Sequence, residues 1–298
     1  VVKRLESFRD AGVTDLAEGT PCLIASGVSC GVCARCLAGL DHLCPRYGLL
    51  GEHRDGGYAE YVTVPRRNIL PIPPGLSYVE AAAIPLGFLT AWHMLTARAG
   101  LKAHEDILLH AAGSGVTSAG IQIARLLGAR RILVTAGSEA KLARARELGA
   151  THGILYNQGD FVRAAREATQ GEGVDVVFDH VGGETFERSL KLLKRGGRLV
   201  LCGATSGHDV RINLRALFFK QLSVLGSTMG SLAELATLLP YFESGALRPV
   251  VDRTFPLAEA PAAQEFLAQR GAFGKLVLTV GTGARDVPHP PRAQEVRP

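Results

Sequence analysis

The sequence predicts an α/β protein: a doubly wound parallel sheet, joined to a β-rich region that contains a cysteine cluster. Three observations support this. Strand-like and helix-like apolar segments alternate between residues 107 and 226, short strand patterns rich in Gly and Pro occupy residues 20–75, and four of six cysteines lie within residues 30–44. Alternation of strand and helix implies parallel pairing through right-handed crossovers.

Composition indicates a globular protein with no membrane helix. The 298 residues allow about two domains, and 47% hydrophobic with 20% charged residues excludes a disordered chain. No apolar run reaches the ~18 residues of a membrane span, and residues 1–10 do not form a signal peptide. We therefore expect a cytoplasmic protein. The net charge of +5 is spread among acids, as in residues 141–147, so neither nucleic acid nor a membrane is an expected partner.

The elements before residue 100 are predicted from local patterns. Two glycines at 56–57 precede an alternating stretch, residues 58–64, that predicts a half-buried strand. Three prolines within residues 71–74 predict a stiff connector. Small residues then predict a helix over residues 81–98.

The alternating region follows. The predicted strands are residues 107–112, 131–135, 153–156, 174–178, 198–202 and 222–226, with helices at 120–127 and 139–148. A last helix (232–243) and a last strand (276–280) complete the prediction. The tail from residue 281 has no apolar period and is expected to be disordered.

The cysteines Cys30, Cys33, Cys36 and Cys44 have the spacing of a structural zinc site. Four thiolates fill the tetrahedral shell of Zn²⁺ and leave no position for water or substrate. An iron–sulfur cluster or four ordinary reduced cysteines are the alternatives. Cys22 and Cys202 lie in predicted strands and are interpreted as small buried hydrophobic residues.

A turn rich in small residues follows the first strand of the predicted sheet. Gly113, Ser114, Gly115 and Val116 lead into a helix, where small residues let the backbone approach a pyrophosphate and free amides bind its charge. The pattern differs from a literal G-x-G-x-x-G. A turn whose glycines serve only helix packing is the alternative.

The end of the second strand favours NADP(H) over NAD(H). NAD sites usually have Asp or Glu there, whereas this strand ends in Thr135-Ala-Gly-Ser138, with Lys141 one helical turn later. A hydroxyl and an ammonium suit a 2′-phosphate. A solvated helix lysine is the alternative interpretation of Lys141.

Taken together, these residues resemble the zinc-containing alcohol dehydrogenase and quinone reductase group of the medium-chain dehydrogenase/reductase superfamily. The likeness runs from about Leu5 to Val280 and is most specific in the cysteine cluster, Cys44-Pro-Arg46 and residues 51–61. It implies a Rossmann domain inserted in a GroES-like domain with a zinc lobe. The implied domains are a partial catalytic domain (1–80), the Rossmann domain (81–245), a return segment (246–281) and the tail (282–298).

The resemblance also implies roles for further residues. Thr90 would flank the nicotinamide on one side and Val116 on the other. Tyr156 matches a tyrosine beside the 2′-phosphate in NADPH-dependent quinone reductases. Lys275 matches a basic residue that reaches the cofactor phosphates, and Gly203 would lie at the nicotinamide half.

Two departures from the family pattern concern its catalytic zinc. The Cys and Gly-His-Glu ligands of the family belong to a region that precedes Val1, and Leu86 occupies the position of the third ligand. A third irregularity is residues 9–12, where the family has a Gly-rich turn.

The leading hypothesis is an NADP(H)-dependent oxidoreductase that transfers hydride to or from a small alcohol, aldehyde or ketone. A zinc-independent quinone or enone reductase, and a truncated chain that binds nucleotide without catalysis, are the alternatives. His53 is the candidate acid–base residue, whereas His180 is expected to pack against the dinucleotide and His110 to be structural. The exposed sheet edge at residues 222–229 suggests a homodimer or homotetramer.

Overall fold

The structure is a computed structural model that describes residues 19–281, apart from the side chain of Glu184. It divides into two compact units, one comprising Gly87–Gly230 and the other the residues before and after that segment. The sequence analysis placed its domain bounds at 80/81 and 245/246 instead. The expected irregularity at residues 9–12 and the predicted disordered tail from residue 282 lie outside the described residues.

The strands are β1 (Cys22–Ile24), β2 (Gly27–Val28), β3 (Gly48–Leu49), β4 (Ile69–Pro71), β5 (Asp106–Leu109), β6 (Arg131–Ala136), β7 (His152–Leu155), β8 (Val174–Asp179), β9 (Leu193–Leu201), β10 (Ser223–Gly226), β11 (Val251–Pro256) and β12 (Lys275–Thr279). The helices are α1 (Ala34–Leu37), α2 (Tyr78–Ala82), α3 (Gly87–His93, continued by a π-helical segment Met94–Arg98), α4 (Gly115–Leu126), α5 (Glu139–Leu148), α6 (Phe161–Ala168), α7 (Gly183–Leu192), α8 (Leu214–Phe219), α9 (Leu232–Glu243) and α10 (Ala260–Ala268).

The unit Gly87–Gly230 contains a six-stranded parallel sheet in the order β10-β9-β8-β5-β6-β7, which confirms the predicted doubly wound α/β fold. Leu108 in β5 pairs with Leu133 on one side and with Val177 on the other, and all three are fully buried. The chain proceeds to opposite sides of β5, so β5 and β8 flank the switch point where such sheets bind ligands at their carboxyl ends.

Close helix packing brings α4 onto this sheet. A Cβ at Gly120 would lie 2.8 Å from Leu109 Cδ2, and 3.5 Å from the Phe178 ring. Only glycine allows α4 to approach β5 and β8 this closely, which fixes the position of its N-terminus at the carboxyl edge of the sheet.

The other unit is built from two-stranded pairs: β1 with β4, β2 with β3, and β11 with β12. Its small core gathers Cys22, Ile24, Val64 and Ile69. Helix α9 begins with a capping box of Ser231 and Glu234. Asp41 adds to this cap, because its Oδ1 accepts the Leu232 N–H at 3.1 Å.

Two predicted elements were wrong. Residues 58–64 form no strand in the described part of the chain, although Val62 and Val64 still pack inward and Tyr61 is exposed, as alternation requires. A strand needs a hydrogen-bonded neighbour as well as alternation. The helix predicted over residues 81–98 is interrupted between α2 and α3, where Pro85 cannot donate a backbone hydrogen bond.

Among the described residues, no helix combines the length and apolar character needed to cross a bilayer. Strand β10 forms one edge of the sheet within the described strands, at the position predicted from residues 222–229. The homodimer or homotetramer expected there stays a prediction.

Candidate functional site

The loops that follow the parallel strands carry most of the residues selected from the sequence. Residues 113–116 follow β5, Ser138 follows β6, and Tyr156 follows β7. Gly203 follows β9. Because the carboxyl ends of parallel strands meet at one edge of a sheet, these segments share the edge where ligands bind in doubly wound folds.

The turn between β5 and α4 presents the first amides of a 12-residue helix. Ser114 is the N-cap residue of α4, but its side chain makes no capping hydrogen bond. The Ser114 N–H donates to the Ala111 carbonyl at 2.9 Å, which closes the turn. Amides in the first turn of a helix that lack a side-chain cap are suited to bind a phosphate.

Two hydroxyl-bearing residues, Ser138 and Tyr156, lie next to Gly137 at the end of β6. Ser138 caps α5 and accepts the Lys141 N–H at 3.4 Å. A Cβ at Gly137 would lie only 2.7 Å from the Tyr156 hydroxyl oxygen, so the glycine lets this hydroxyl rest against the strand end. Asn157 donates to the Gly137 carbonyl at 3.1 Å. The Tyr156 hydroxyl therefore lies beside Gly137, the residue before the Ser138 cap, and Lys141 is in the first turn of the capped helix.

A second group of predicted cofactor-binding residues lies where the N-termini of α3 and α4 approach each other. A Cβ at Gly87 would lie 3.1 Å from the Gly115 carbonyl oxygen, so glycine permits the two helix N-termini to approach. Val116 is in the first turn of α4. Thr90 is buried in α3, and its hydroxyl donates to Met229 Sδ at 3.5 Å.

The turn after β8 is organised by a buried carboxylate. Asp179 Oδ1 accepts the Val181 N–H at 2.7 Å, and Oδ2 accepts the Thr185 hydroxyl at 2.8 Å. A Cβ at Gly203 would lie 3.0 Å from the His180 carbonyl oxygen. Gly203 therefore allows the loop after β9 to approach the loop after β8.

His180 is tied to α4. The Thr117 hydroxyl donates to the His110 carbonyl at 2.7 Å, so His180 Nε2, at 3.1 Å, donates to the Thr117 oxygen. Burial lowers the pKa of His180, so the imidazole is neutral at pH 7. His180 thus fixes the first turn of α4.

The four clustered cysteines converge in the unit that contains β1–β4. Their sulfur atoms all lie within 4.8 Å of one another. The Cys36 Sγ is 3.8 Å from that of Cys30 and 3.6 Å from that of Cys33. A regular tetrahedron with metal–sulfur bonds of ~2.3 Å has edges of ~3.8 Å, so the arrangement fits a tetrahedral metal.

Backbone amides stabilise the thiolate of Cys30 in this cluster. Hydrogen bonds from the Val32 and Cys33 amides lower the pKa of Cys30 to about 5. The amides of Cys30 and Arg46 both lie within hydrogen-bond distance of Cys44 Sγ, at 3.5 and 3.3 Å. Thiolates, not thiols, are the species that bind a metal.

Three further residues selected from the sequence belong to the unit that contains the cysteine cluster. His53 follows β3, with 55% of its side chain exposed, and its Nδ1 accepts the Leu49 N–H at 3.3 Å. Lys275 begins β12, where burial lowers its pKa. Leu86 is 44% exposed and offers no ligand atom. The roles of His53 and Lys275 stay predictions.

The sequence analysis missed Gly137 and Asp179. An acidic residue that directly follows an apolar run, as Asp179 follows residues 176–178, is a signal that could have indicated a turn-forming carboxylate. No local signal pairs Gly137 with Tyr156, because that contact depends on the register of β6 and β7.

Two family models match the chain. The zinc-binding dehydrogenase model matches residues 115–244, and the alcohol dehydrogenase GroES-like domain model matches residues 3–74. The first match starts at α4 and covers the sheet from β6 onward, and the second covers the cysteine cluster.

Individual relatives agree with these matches. The chain is 30% identical over 230 residues to a human quinone oxidoreductase, covering 75% of this chain and 69% of the relative. It is 44% identical over 218 residues, 72% of its length, to the spectinabilin polyketide synthase system protein NorB of Streptomyces orinoci, and spans only 10% of that protein.

A solved structure is also similar over most of the chain. It is an NAD-dependent alcohol dehydrogenase, 49% identical, with a TM-score of 0.86. The match covers 90% of this chain and 78% of that structure. The similarity therefore extends through both units of the chain.

Proposed function

The chain belongs to the medium-chain dehydrogenase/reductase superfamily, and on that premise we propose that it is an NADP(H)-dependent oxidoreductase of the zinc-containing alcohol dehydrogenase type. The oxidoreductase class follows from the family. The observation that supports the choice of cofactor is the tip of β6, where NAD sites usually have an acidic residue: here Ser138 follows the strand and the Tyr156 hydroxyl lies against Gly137.

The charge around this tip favours a phosphate over a ribose hydroxyl. Residues 136–138 contain no carboxylate, and Lys141 supplies an ammonium one helical turn later. The nearest acid in the sequence, Glu139, forms an ion pair with Arg146 at 2.6 Å. Hydroxyl and ammonium groups bind a phosphate well, whereas a carboxylate would repel it.

Each remaining residue of the carboxyl edge has a role in holding a dinucleotide. The first amides of α4 would bind the pyrophosphate, Thr90 and Val116 would contact the nicotinamide, and Gly203 would leave room for it. The bound nicotinamide supplies or accepts the hydride. The protein contributes orientation and electrostatics.

The proposed substrate is a small alcohol, aldehyde or ketone. The exposed Leu86 favours a second candidate, a quinone or enone reductase that needs no catalytic metal, because leucine has no ligand atom. The similarity to a quinone oxidoreductase supports this alternative equally well. A chain that binds the cofactor without turnover is the third possibility.

We also propose that the cysteine cluster binds one structural Zn²⁺. The sulfur–sulfur distances of 3.6 and 3.8 Å match a tetrahedral four-thiolate shell, and backbone amides donate to the sulfur atoms of Cys30 and Cys44. Such a shell is closed, so the metal would order the polypeptide and take no part in hydride transfer.

The decisive experiment titrates the purified chain with NADPH and with NADH and follows cofactor fluorescence. Substitution of Ser138 by Asp keeps a good helix cap but adds a carboxylate, which should weaken NADPH binding at least about tenfold and improve NADH binding. The matched control is Ser138→Asn, which also caps the helix but is neutral, and should change both affinities little.

Preferential binding of NADH by the unmodified chain would contradict the NADP(H) assignment and agree with the similar NAD-dependent enzyme. Turnover with an alcohol or ketone, as against a quinone or enone, then separates the two substrate classes. Binding without any turnover would support the third possibility.

A further inference from the structure

Ala111, between β5 and the phosphate-binding turn, has a backbone conformation that alanine rarely adopts. Its φ is +54°, in the left-handed region. A residue other than glycine remains there only when its surroundings hold it, and such residues often occur at functional sites. Neighbouring groups must therefore hold Ala111 in this conformation.

Thr135, in the neighbouring strand β6, holds Ala111 by hydrogen bonds. The Ala111 N–H donates to the Thr135 hydroxyl oxygen at 3.0 Å, and the Ala112 N–H donates to the Thr135 carbonyl at 2.8 Å. Thr135 is buried. One residue thus holds two successive amides of the turn, one through its side chain and one through its backbone.

Hydrogen bonds with His110, which in turn contacts Ser189, fix the position of the Thr135 hydroxyl. His110 Nδ1 lies 3.2 Å from Thr135 Oγ1, and its Nε2 lies 2.9 Å from the Ser189 hydroxyl in α7. The Phe161 ring and the imidazole pack in a T-shaped arrangement, with their centroids 5.0 Å apart. Burial lowers the pKa of His110 to about 4, so at pH 7 the ring is neutral and offers one donor and one acceptor nitrogen.

The conformation of Ala111 determines where the next amides point. The Ala111 carbonyl accepts the Ser114 N–H at 2.9 Å, and α4 begins at the following residue, Gly115. The Ser114 side chain does not cap α4. The direction in which the first amides of α4 point therefore depends on the backbone conformation at Ala111.

We propose that Thr135 is a positioning residue for the dinucleotide, and that His110 and Ser189 act through it. The Thr135 hydroxyl holds Ala111 in the left-handed conformation that directs the first amides of α4 toward a pyrophosphate. This inference rests on the proposed function, since it names the residues that shape its cofactor site. It also gives His110, interpreted from the sequence as structural, an indirect role in binding.

The chain contains a matched control for this role. Thr169 is another fully buried threonine of the same unit, and its hydroxyl accepts the Gly173 N–H at 3.0 Å. This second turn precedes β8 and therefore lies at the amino end of the sheet, away from the carboxyl edge. Thr169→Val removes the same chemical group from a turn that holds no candidate ligand.

The first measurement is amide hydrogen exchange of the cofactor-free protein. Thr135→Val should accelerate exchange in residues 111–116, because the Ala111 N–H loses its buried partner. Thr135→Ser, which keeps the hydroxyl, should restore protection, and Thr169→Val should leave this segment unchanged. Unaltered exchange in Thr135→Val would overturn the inference.

The second measurement is the affinity for NADPH and NADH. Thr135→Val should weaken binding of the preferred cofactor about tenfold, with Thr135→Ser and Thr169→Val within about twofold of the unmodified chain. Ser189→Ala, a milder change, should shift affinity in the same direction and covers the case in which Thr135→Val does not fold.

The outcomes separate the two proposals. Faster exchange in residues 111–116 with unchanged cofactor affinity would overturn the positioning role of Thr135 while leaving the proposed function intact. If the unmodified chain bound neither NADPH nor NADH, the proposed function would fail, and the positioning role would fail with it.

Discussion

Asp106 shows at the scale of a single residue how this sheet tolerates a buried charge. Its side chain is inaccessible to solvent at the start of β5. Arg130 Nε donates to it at 2.9 Å, and Lys194 Nζ at 2.8 Å. Burial raises the pKa of Asp106, but the hydrogen bonds from Arg130 and Lys194 outweigh burial, so the pKa falls below its ordinary value of 3.8.

We predict that Asp106→Asn lowers the free energy of unfolding by about 3 kcal/mol at pH 7, since it removes the buried anion shared by Arg130 and Lys194 and leaves them only the more exposed Glu172 and Asp175. A carboxyl group with a depressed folded pKa contributes stability above its unfolded pKa and loses it as pH falls through the folded pKa. The difference between the two proteins should therefore be complete at pH 7 and diminish below about pH 4.

Urea unfolding at pH 7 and at several values below pH 4 tests this. Glu172→Gln is the control: Glu172 meets Arg130 at 3.5 Å but is 57% exposed, so the loss should stay below about 0.5 kcal/mol. A constant difference between Asp106→Asn and the unmodified protein across this pH range would contradict the assignment.

The candidate site residues at the carboxyl edge of the sheet could be identified from the sequence, but the residues to which they hydrogen-bond could not. Ser138 and the turn at residues 113–116 follow predicted strands, which is enough to place them. The bond between His110 and Ser189 joins residues 79 apart. No local pattern encodes such a pairing, because it depends on how α7 packs on the sheet.

At the scale of elements, the ranges of two helices with capped N-termini were predicted correctly, whereas α2, which has a capping box of Ser77 and Glu80, was predicted to start at residue 81. Helix α5 starts at the Ser138 cap and ends at Gly149, whose φ is +118°. Helix α9 starts at a Ser231–Glu234 capping box. Both predicted ranges match the structure. The wrong strand at residues 58–64 depended instead on a pairing partner, which local sequence does not specify.

The loop between α6 and β8 permits a test of how closely the start of β8 packs against the end of α7. Gly171 and Gly173 both have φ of +88°. A Cβ at Gly173 would overlap the Leu192 carbonyl oxygen, whereas nothing lies within 4 Å of one at Gly171. Both alanine variants thus suffer the same backbone strain, and only one adds a clash.

We predict that Gly171→Ala costs about 1–2 kcal/mol, from the left-handed backbone alone. Gly173→Ala should cost at least about 3 kcal/mol, because the start of β8 must move away from the end of α7. Thermal unfolding of both variants measures the difference. Equal losses would mean that the loop relaxes without cost and that the close approach does not constrain β8.

At the scale of the whole molecule, the alternation of strands and helices was sufficient to predict the parallel sheet, since handedness and crossover rules leave few topologies. The other unit was less predictable. Its strands are two to six residues long, and its cysteine cluster has little core, with Val32, Leu37 and Leu43 all more than half exposed.

A bound metal should therefore stabilise this unit. We predict about one Zn²⁺ per chain by elemental analysis, and a lower unfolding temperature after removal of the metal with a strong chelator. Cys33→Ser should abolish stoichiometric zinc, whereas Cys202→Ser, a variant of a cysteine outside the cluster, should retain it. Iron in place of zinc, or no metal in the unmodified protein, would contradict the proposal.

The division of the chain has a consequence for its biosynthesis. Asp41, beside the cysteine cluster, caps α9 through Leu232, and the two residues are separated by the whole of the inserted unit. A ribosome that adds ~5–20 residues per second needs roughly 7–30 s to translate that unit. During this interval the nascent thiolates have left the exit tunnel but their C-terminal neighbours do not yet exist. Metal capture at that stage would protect the cysteines from oxidation until synthesis is complete.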